Sequence, residues 1–277
     1  MNWGKRSMKP VMKVATYIIG MTLIMLPVSI MANEEDWQFG ASIYGWFPDI
    51  AGQTSFTPPN GGGDFEVGID QILENLEFTL MGQFDARKGK WGLMADMIYM
   101  DVGNSKSGVR EATIGGTPIP VDASADVNMD LESWIWTLAG YYRVQDQTNS
   151  SFDLLGGLRY TDVAQKVAWD ITGNVASIPV LDRAGSAEAG LDNWDAIIGA
   201  RGRFAFGSEN RWFVPYYLDV GAGDSDLTWQ ALAGIGYKFK WGETAAFWRY
   251  LSYDLPSDKA IADINFSGPA IGVAFRW

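Results

Sequence analysis

The 277-residue sequence contains no histidine and no cysteine. Histidine is the commonest general base near neutral pH and the commonest zinc ligand, so its absence excludes Ser-His and Asp-His catalysis and histidine-metal sites. Disulfides are excluded too, although many secreted domains depend on them. If the chain is exported, it must be stabilised by its own core or by a membrane.

Long apolar runs are also missing beyond Ala32, which excludes a helical membrane protein. Residues 1–32 differ, because they combine a basic segment, an apolar stretch over 14–27 and an alanine before an acidic segment. This pattern predicts a cleaved secretory signal peptide over 1–32 and a single mature domain over 33–277. A retained membrane anchor is the less favoured alternative, because the apolar stretch is shorter than the roughly 20 residues of a spanning helix.

Basic residues are scarce in the predicted mature chain. Residues 1–32 contain four of the 21 basic and none of the 33 acidic residues, which leaves 17 against 33 and a formal charge of −16. Such a surface repels nucleic acid, and the sequence contains no basic run that offsets it. We therefore expect no nucleic-acid partner.

Aromatic residues are frequent, at 14% of the chain, and they recur with a period of two. From Trp91 to Tyr99, large apolar residues alternate with residues such as Gly92 and Asp96. Segments 134–142, 152–160, 194–204 and 229–237 repeat this pattern, and each begins and ends with an aromatic residue. At about 3.3 Å per residue and about 40° of tilt, such segments cover roughly 20–25 Å, close to the apolar band between the aromatic girdles of a transmembrane barrel.

A soluble β-sandwich is the alternative explanation for alternating aromatic strands. Its second strand face would be solvated and mostly long and polar. Here the second face is rich in glycine and alanine with a few charges, as suits a barrel interior. The sequence therefore predicts an all-β fold, an antiparallel transmembrane up-and-down β-barrel.

Tight turns and longer connections alternate along the chain. Short turns at 88–90, 146–150, 207–211 and 241–243 are expected to be periplasmic, and longer connections at 51–75, 103–125 and 164–192 are expected to be extracellular loops. Segment 70–76 could form a short helix in the first loop. We expect about ten strands, with eight to twelve compatible with the pattern: 37–50, 77–88, 91–103, 126–145, 150–164, 191–206, 211–222, 227–240, 244–255 and 262–277.

The last predicted strand carries a family resemblance. Its outward residues are Ile271, Val273, Phe275 and Trp277, which alternate with Gly272, Ala274 and Arg276. This end resembles the closing strand of bacterial outer-membrane proteins, in which a terminal aromatic residue is recognised by the barrel assembly machinery. The resemblance implies that the four outward residues form a closing and assembly signal. It also implies a location in the cell outer membrane, in contact with its lipid and lipopolysaccharide.

Two further segments, 44–52 and 86–93 followed by Asp96, resemble a broad group of proteobacterial outer-membrane barrels of the small OmpA-like or porin-like type. The similarity spans most of the predicted mature chain. That group has no assigned activity, so the resemblance implies a fold and a location and adds nothing about catalysis.

The strand faces opposite the aromatic residues predict the residues that line the lumen. These candidates are Glu77, Gln83, Asp85, Arg87, Asp96, Arg143, Asp153, Arg159, Asp195, Arg201, Arg203, Lys238 and Lys240. Asp219 and Arg249 could join them, although their parity is less clear. In one interpretation these groups neutralise one another, because an unpaired charge in a narrow lumen would cost several kcal/mol. In the other, they line a small water-filled pore and set its selectivity.

The functional hypothesis is a small channel or a structural barrel with a narrow charged lumen. The alternative is a surface interaction protein whose acidic loops contact a partner, a cation or lipopolysaccharide. An enzyme is not expected, since no catalytic constellation is recognisable, and no cofactor or metal is expected. The acidic segment 219–226 could bind Ca²⁺, but it lacks EF-hand spacing and is expected to be a solvated turn. The sequence leaves the oligomeric state open.

Overall fold

The computed structural model of the chain describes residues 36–54, 64–70, 74, 76–109, 113–114, 117–118, 123–173, 184–257, 259 and 261–277. Of these, residues 54, 64–67, 76–77, 104–109, 113–114, 117–118, 123–129, 165, 167–173 and 184–189 are described by their backbone alone. The predicted signal peptide lies outside the described residues. No helix in the described part of the chain is long and apolar enough to cross a membrane.

Strands dominate the described residues. In chain order they are β1 (Trp37–Trp46), β2 (Asp49–Thr54), β3 (Asp64–Val67), β4 (Leu76–Lys88), β5 (Trp91–Val109), β6 (Thr113–Ile114), β7 (Thr117–Pro118), β8 (Ala123–Gln147), β9 (Ser150–Gly173), β10 (Ala184–Phe206), β11 (Trp212–Gly223), β12 (Leu227–Lys238), β13 (Glu243–Asp254) and β14 (Ile261–Arg276).

Ten of these strands form a closed antiparallel barrel in the order β1, β4, β5, β8, β9, β10, β11, β12, β13, β14. The barrel closes because β1 pairs with β4 on one side and with β14 on the other. At the level of Gly40, for example, Asp85 of β4 is the partner on one side and Arg276 of β14 the partner on the other. The predicted architecture, an antiparallel barrel of about ten strands, is confirmed.

Tight turns join β4 to β5, β8 to β9, β10 to β11 and β12 to β13, at the four places where the sequence predicts them. The first needs a glycine, since Gly89 adopts φ 58°, a left-handed conformation that is costly for most other residues. The third contains a 3-10 turn over Ser208–Asn210. Because neighbouring strands alternate in direction, all four turns lie at one end of the barrel, here called the turn end. The opposite end is the loop end.

The strands at the loop end are longer than predicted. β5, β8, β9 and β10 continue into segments 103–125 and 164–192, which the sequence predicts to be loops. The pairing of β8 with β9 extends as far as Ala123, which lies opposite Gly173. The predicted strands stop at residues 103, 126, 164 and 191, but backbone pairing continues beyond all four of these positions. Of the predicted helix 70–76, Asp70 and Glu74 are helical, Leu76 begins β4, and the remaining residues lie outside the described part.

The first predicted strand, 37–50, is interrupted at Phe47 and Pro48. β1 ends at Trp46, and β2 resumes pairing with β14 where Asp49 lies opposite Ser267. Proline has no backbone N–H to donate to a ladder, which explains the break. Gly268 lies beside it, where a Cβ would come within 2.2 Å of the Phe47 carbonyl oxygen. The chain at 47–48 therefore packs against β14 more closely than any residue other than glycine allows.

The outward face of the barrel is apolar, as the alternation predicts. Trp91 and Ile198 are 69% and 68% exposed, whereas Asp96 on the opposite face of β5 is only 8% exposed. Aromatic residues gather in two bands. The band at the turn end includes Trp91 with Tyr142 and Trp212 with Tyr237, and the band toward the loop end includes Tyr99 with Trp134, Tyr160 with Trp194 and Trp229 with Tyr250.

The inward face departs from the sequence expectation in one respect. It was expected to carry mainly glycine, alanine and a few charges, but large apolar side chains fill its loop-end half. We call this cluster the apolar plug. It consists of Tyr44, Trp46, Ile50, Met81, Ile98, Met100, Val102, Leu131, Ile135, Val163, Leu191, Leu251, Tyr253, Leu255, Ile261, Ile264, Phe266 and Ala270.

Candidate functional site

The lumen contains a cavity of about 490 Å³, here called the vestibule. Its lining begins at the turn end with residues such as Gln38, Arg87 and Arg276, and it reaches as far as Asp96 and Arg249 in the middle of the barrel. The apolar plug lies beyond this level. The lumen thus has three layers, which are the vestibule at the turn end, a polar layer in the middle and the plug toward the loop end.

One charged network joins β8, β9 and β10 to β4. Arg143 donates from Nε and Nη2 to the two carboxylate oxygens of Asp153, at 2.6 and 3.1 Å. Arg201 forms an ion pair with the same carboxylate at 3.3 Å and with Asp85 at 2.6 Å. Tyr141 donates to Asp85 at 2.6 Å, and its ring lies 4.0 Å from the Arg201 guanidinium carbon. Each charge in this network therefore has an opposite charge within ion-pair distance.

A second network lies at the rim. Arg87 donates to the Gly89 carbonyl at 2.8 Å and to the amide oxygen of Gln38, and it forms an ion pair with Asp146 at 3.3 Å. Asp146 also pairs with Arg143 at 3.3 Å, but its own side chain is half exposed. This pairing is screened by water and contributes at most about 1 kcal/mol to stability.

A third group surrounds Glu243 at the start of β13. Arg203 donates from Nη1 to one carboxylate oxygen of Glu243 at 2.8 Å, and Arg276 donates from Nε to the other at 3.1 Å. The Arg203 guanidinium carbon lies 4.1 Å from the centre of the Phe213 ring, within the range of a cation-π contact. Two guanidinium groups therefore share a single carboxylate.

The middle layer has Arg249 at its centre. Arg249 donates from Nη2 to Asp96 at 2.8 Å, from Nη1 to the Tyr44 hydroxyl at 2.9 Å and from Nε and Nη2 to the Gln230 amide oxygen at 3.1 and 2.7 Å. Tyr44 in turn donates to the second oxygen of Asp96 at 2.7 Å. All four side chains are buried. The group joins β1, β5, β12 and β13 across the lumen.

The other half of the middle layer contains Arg159 and Asp219, which form a fully buried ion pair. Arg159 also donates to the hydroxyls of Thr137 and Thr228, at 3.4 Å each. A short polar bridge between the hydroxyls of Thr161 and Tyr253, at 2.5 Å, lies on the plug side of this pair.

Asp195 takes a different kind of partner. Its two carboxylate oxygens accept from the Ser225 backbone N–H and hydroxyl, both at 2.9 Å, and Asn193 donates to that same hydroxyl at 2.9 Å. The acidic residues of segment 219–226, which the sequence offered as a possible calcium loop, therefore lie in different places and have different partners. Asp219 belongs to β11 and points into the lumen, while Asp224 accepts from the Trp194 backbone N–H at 2.9 Å. Among the described residues, no group of three or more acidic side chains is placed to hold a metal ion.

Most of the predicted lumen residues meet in these layers. Gln83, Asp85, Arg87, Asp96, Arg143, Asp153, Arg201 and Arg203 line the vestibule, and Arg159 and Asp195 are buried in the middle layer. Asp219 and Arg249, whose parity was unclear from the sequence, both lie in that layer. The side chain of Glu77 lies outside the described residues.

Two predicted lumen residues lie elsewhere. Lys238 is exposed at the last residue of β12, and Lys240 is exposed in the turn that follows, so neither contributes to the vestibule lining as the structure describes it. The prediction extended β12 to residue 240, but the strand ends two residues earlier. Alternation in and out of the barrel no longer applies beyond that point.

Sequence reasoning missed Glu243 and the inward tyrosines Tyr44 and Tyr141. Glu243 is one residue outside the predicted boundary 244–255, so a small boundary error removed it. The tyrosines were missed because aromatic residues were assigned to the lipid face as a class. Strand parity alone would have placed Tyr141 inward, because its neighbours Gly140 and Tyr142 belong to the outward series of the alternating strand β8.

No family model and no curated protein matches the chain. Several solved structures of outer-membrane barrels are similar to it. The outer membrane protease OmpT of Escherichia coli is 9% identical, with 90% of this chain and 99% of that chain covered and a TM-score of 0.49.

The translocator domain of the autotransporter NalP from Neisseria meningitidis is 14% identical, with 89% and 90% covered and a TM-score of 0.38. The toluene transporter TodX of P. putida is 11% identical, with 88% and 90% covered and a TM-score of 0.32. These neighbours include a protease and a transporter. At such identities and TM-scores, the similarities assign no activity, substrate or partner to this chain.

Proposed function

We propose that the chain is an outer-membrane β-barrel protein with a lumen closed on its loop-end side, and that it acts as a structural barrel rather than as an open general porin. The apolar plug carries this proposal. Sixteen of its 18 members come from eight of the ten barrel strands, namely β1, β4, β5, β8, β9, β10, β13 and β14, and no member is more than 9% exposed. Water and ions need a polar path, and this cross-section offers buried apolar side chains instead.

The apolar outward face of the barrel supports a membrane location. Large apolar side chains such as Leu138, Leu158 and Ile198 are more than half exposed. Contiguous apolar surface on this scale is rare on soluble monomers, and between two aromatic bands it matches the lipid-facing surface of a transmembrane barrel. Cell fractionation with heat-modifiable gel mobility tests the location, and a soluble periplasmic protein would contradict it.

The charge pairing in the lumen also favours a closed barrel over a selective pore. Pore-lining charges must be available to passing ions. Here Asp96, Asp153 and Asp219 are each bound to at least one arginine and nearly excluded from solvent.

Planar bilayer recording tests the closed lumen. Purified wild-type protein is expected to give no discrete conductance steps, while a known porin in the same bilayers serves as positive control. A variant with Ile98, Ile135 and Leu251 changed to alanine thins the plug and is expected to conduct transiently. The matched control changes the lipid-facing residues Leu93, Leu138 and Leu158 to alanine and should stay silent. Reproducible steps from the wild-type protein would show that the lumen is open.

A second candidate function is interaction at the cell surface, and the length of the loop-end strands favours it. β8 runs eleven residues beyond Trp134, which corresponds to roughly 25–30 Å past the aromatic band. Exposed carboxylates lie on its first part and on β10, among them Asp130, Glu132 and Asp192. This surface could contact lipopolysaccharide through divalent cations.

Binding of the reconstituted protein to lipopolysaccharide, measured with and without Mg²⁺, tests this second candidate. We expect Mg²⁺ to strengthen binding, and we expect replacement of Asp130, Glu132 and Asp192 by their amides to remove that effect. The control variant Glu209→Gln changes an exposed acid at the turn end. If the triple variant retained the full Mg²⁺ effect, the surface interaction would have to lie elsewhere.

A further inference from the structure

The vestibule carries an excess of positive charge, although the chain as a whole is acidic. Six arginines and three aspartates line it, and Glu243 and Asp146 add two further carboxylates that pair with lining arginines. Six cations therefore face five carboxylates. The whole chain has a formal charge of −12. An excess of arginine enclosed by a barrel wall raises the local concentration of anions, because the low-dielectric wall focuses the field.

The excess is concentrated at the mouth. Arg143, Arg201 and Arg249 are each engaged with an aspartate and at least one further polar group. Arg203 and Arg276, in contrast, share Glu243, and no other acidic side chain in the described part of the chain pairs with either of them. The local formal charge of this group of three is therefore +1.

Arg203 and Arg276 also have N–H donors that their shared carboxylate does not use. A guanidinium has five N–H donors, and only one from each of these two arginines is directed at Glu243. The Phe213 ring contacts the Arg203 guanidinium but is not a conventional hydrogen-bond acceptor for its N–H groups. Arg276 is 59% exposed, so its remaining donors are open to solvent. Both side chains line the vestibule.

We infer that Arg203 and Arg276 form a binding site for an oxyanion group, phosphate or carboxylate, carried by a small solute that enters the vestibule from the turn end. Arginine pairs of this kind bind planar or tetrahedral oxyanions through parallel, charge-assisted hydrogen bonds. A cavity of about 490 Å³ suits a small molecule and excludes a folded partner. The site goes beyond the proposed function, because it does not depend on whether the opposite end of the lumen is closed.

Isothermal titration of the full-length protein in neutral-detergent micelles tests the site, with inorganic phosphate and citrate as separate probes in low-chloride buffer. At least one probe is expected to bind saturably at one site, and the comparison distinguishes phosphate from carboxylate ligands. Arg203→Gln and Arg276→Gln should each weaken that binding about tenfold or more, since each removes charge-assisted hydrogen bonds. Glu243→Gln should strengthen it, because both arginines lose their internal competitor.

Charge-matched controls come from the exposed turn between β10 and β11. Arg211 pairs with Glu209 there, and neither residue lines the vestibule described above. Arg211→Gln and Glu209→Gln change the net charge by the same amounts and should leave affinity within about twofold. Absence of saturable binding to the wild-type protein, or equal weakening by Arg211→Gln and Arg276→Gln, would overturn the site. Heat-modifiable mobility verifies that each variant is folded, and the exposed Arg276 provides a decisive variant even if Glu243→Gln fails to fold.

Discussion

Replacement of Arg249 by methionine is expected to produce one of the largest losses of stability available from a single change in this barrel. Arg249 donates four hydrogen bonds to three buried groups, Asp96, Tyr44 and Gln230. It also lies over aromatic side chains, with its guanidinium carbon 5.0 Å from the Trp46 ring centre and 6.0 Å from that of Tyr44. Methionine fills part of the same volume but donates no hydrogen bond.

The expected loss of unfolding free energy follows from the charge that stays buried without a partner. In Arg249→Met, Asp96 keeps one donor, the Tyr44 hydroxyl, and loses its buried cation. Breaking a buried ion pair by removing one partner typically costs about 3–5 kcal/mol, because the other charge stays buried and uncompensated. Removing both partners is less costly, since no charge remains. The double variant Asp96→Leu/Arg249→Met should therefore be at least about 2 kcal/mol more stable than Arg249→Met.

The assay is urea unfolding of the protein refolded into lipid vesicles, followed by tryptophan fluorescence and by heat-modifiable mobility. Arg211→Met is the control, because its ion pair with Glu209 is exposed on both sides, at 45% and 70%, and is screened by water, so its loss should change stability little. Two results would refute the reasoning. One is an Arg249→Met barrel within about 1 kcal/mol of the wild type, and the other is a double variant no more stable than the single one.

Three further changes test the wall of the barrel. Gly157→Ala should destabilise the barrel by about 1–3 kcal/mol, because the new Cβ would lie 2.1 Å from the Leu138 carbonyl oxygen. The neighbouring Gly156→Ala is the control and should be tolerated, because the nearest atom to its Cβ would be 3.7 Å away. Equal unfolding midpoints for the two would contradict this. Ile198→Arg, on the outward apolar face midway between the aromatic bands, should lower the free energy of unfolding in vesicles by about 2–4 kcal/mol. Val144→Arg, near the turn end, should lower it by only about 0–1 kcal/mol. Similar losses for the two variants would argue against a transmembrane barrel. Trp277→Ala with Phe275→Ala should slow assembly in cells while leaving refolding into vesicles nearly unchanged, and an equal effect in both assays would favour a packing role over recognition by the assembly machinery.

The wall of the barrel could be predicted from the sequence because its strands follow one simple rule. Each strand must present apolar side chains outward at every second residue, so Trp91 and Leu93 identify the face of β5 without reference to any other strand. The four tight turns are local features as well, set by short runs around residues such as Gly89 and Gly207. Fold and strand count therefore follow from local patterns.

The contents of the lumen could not be derived in the same way. Tyr44, Asp96 and Arg249 meet in space although they are separated by 52, 153 and 205 positions in the chain. Which inward residues share a level depends on the stagger of all ten strands, and a parity pattern contains no information about stagger. Met94 and Ile98 share the inward parity of Gly92 and Asp96. Parity does not predict that Met94 lines the vestibule whereas Ile98 lies in the plug.

The layered lumen makes the two proposals separable and links them through Arg249. This side chain lies at the boundary, because it lines the vestibule and contacts Tyr44 and Trp46, which belong to the plug. Loss of Arg249 should weaken the packing of the plug on its vestibule side, where Tyr44 and Trp46 lie, and should leave Arg203 and Arg276 in place. A barrel that gains conductance on Arg249→Met yet still binds oxyanions at the mouth would show that closure and anion binding reside in different layers of one lumen. Loss of both properties together would instead mean that the middle layer holds the whole interior in position.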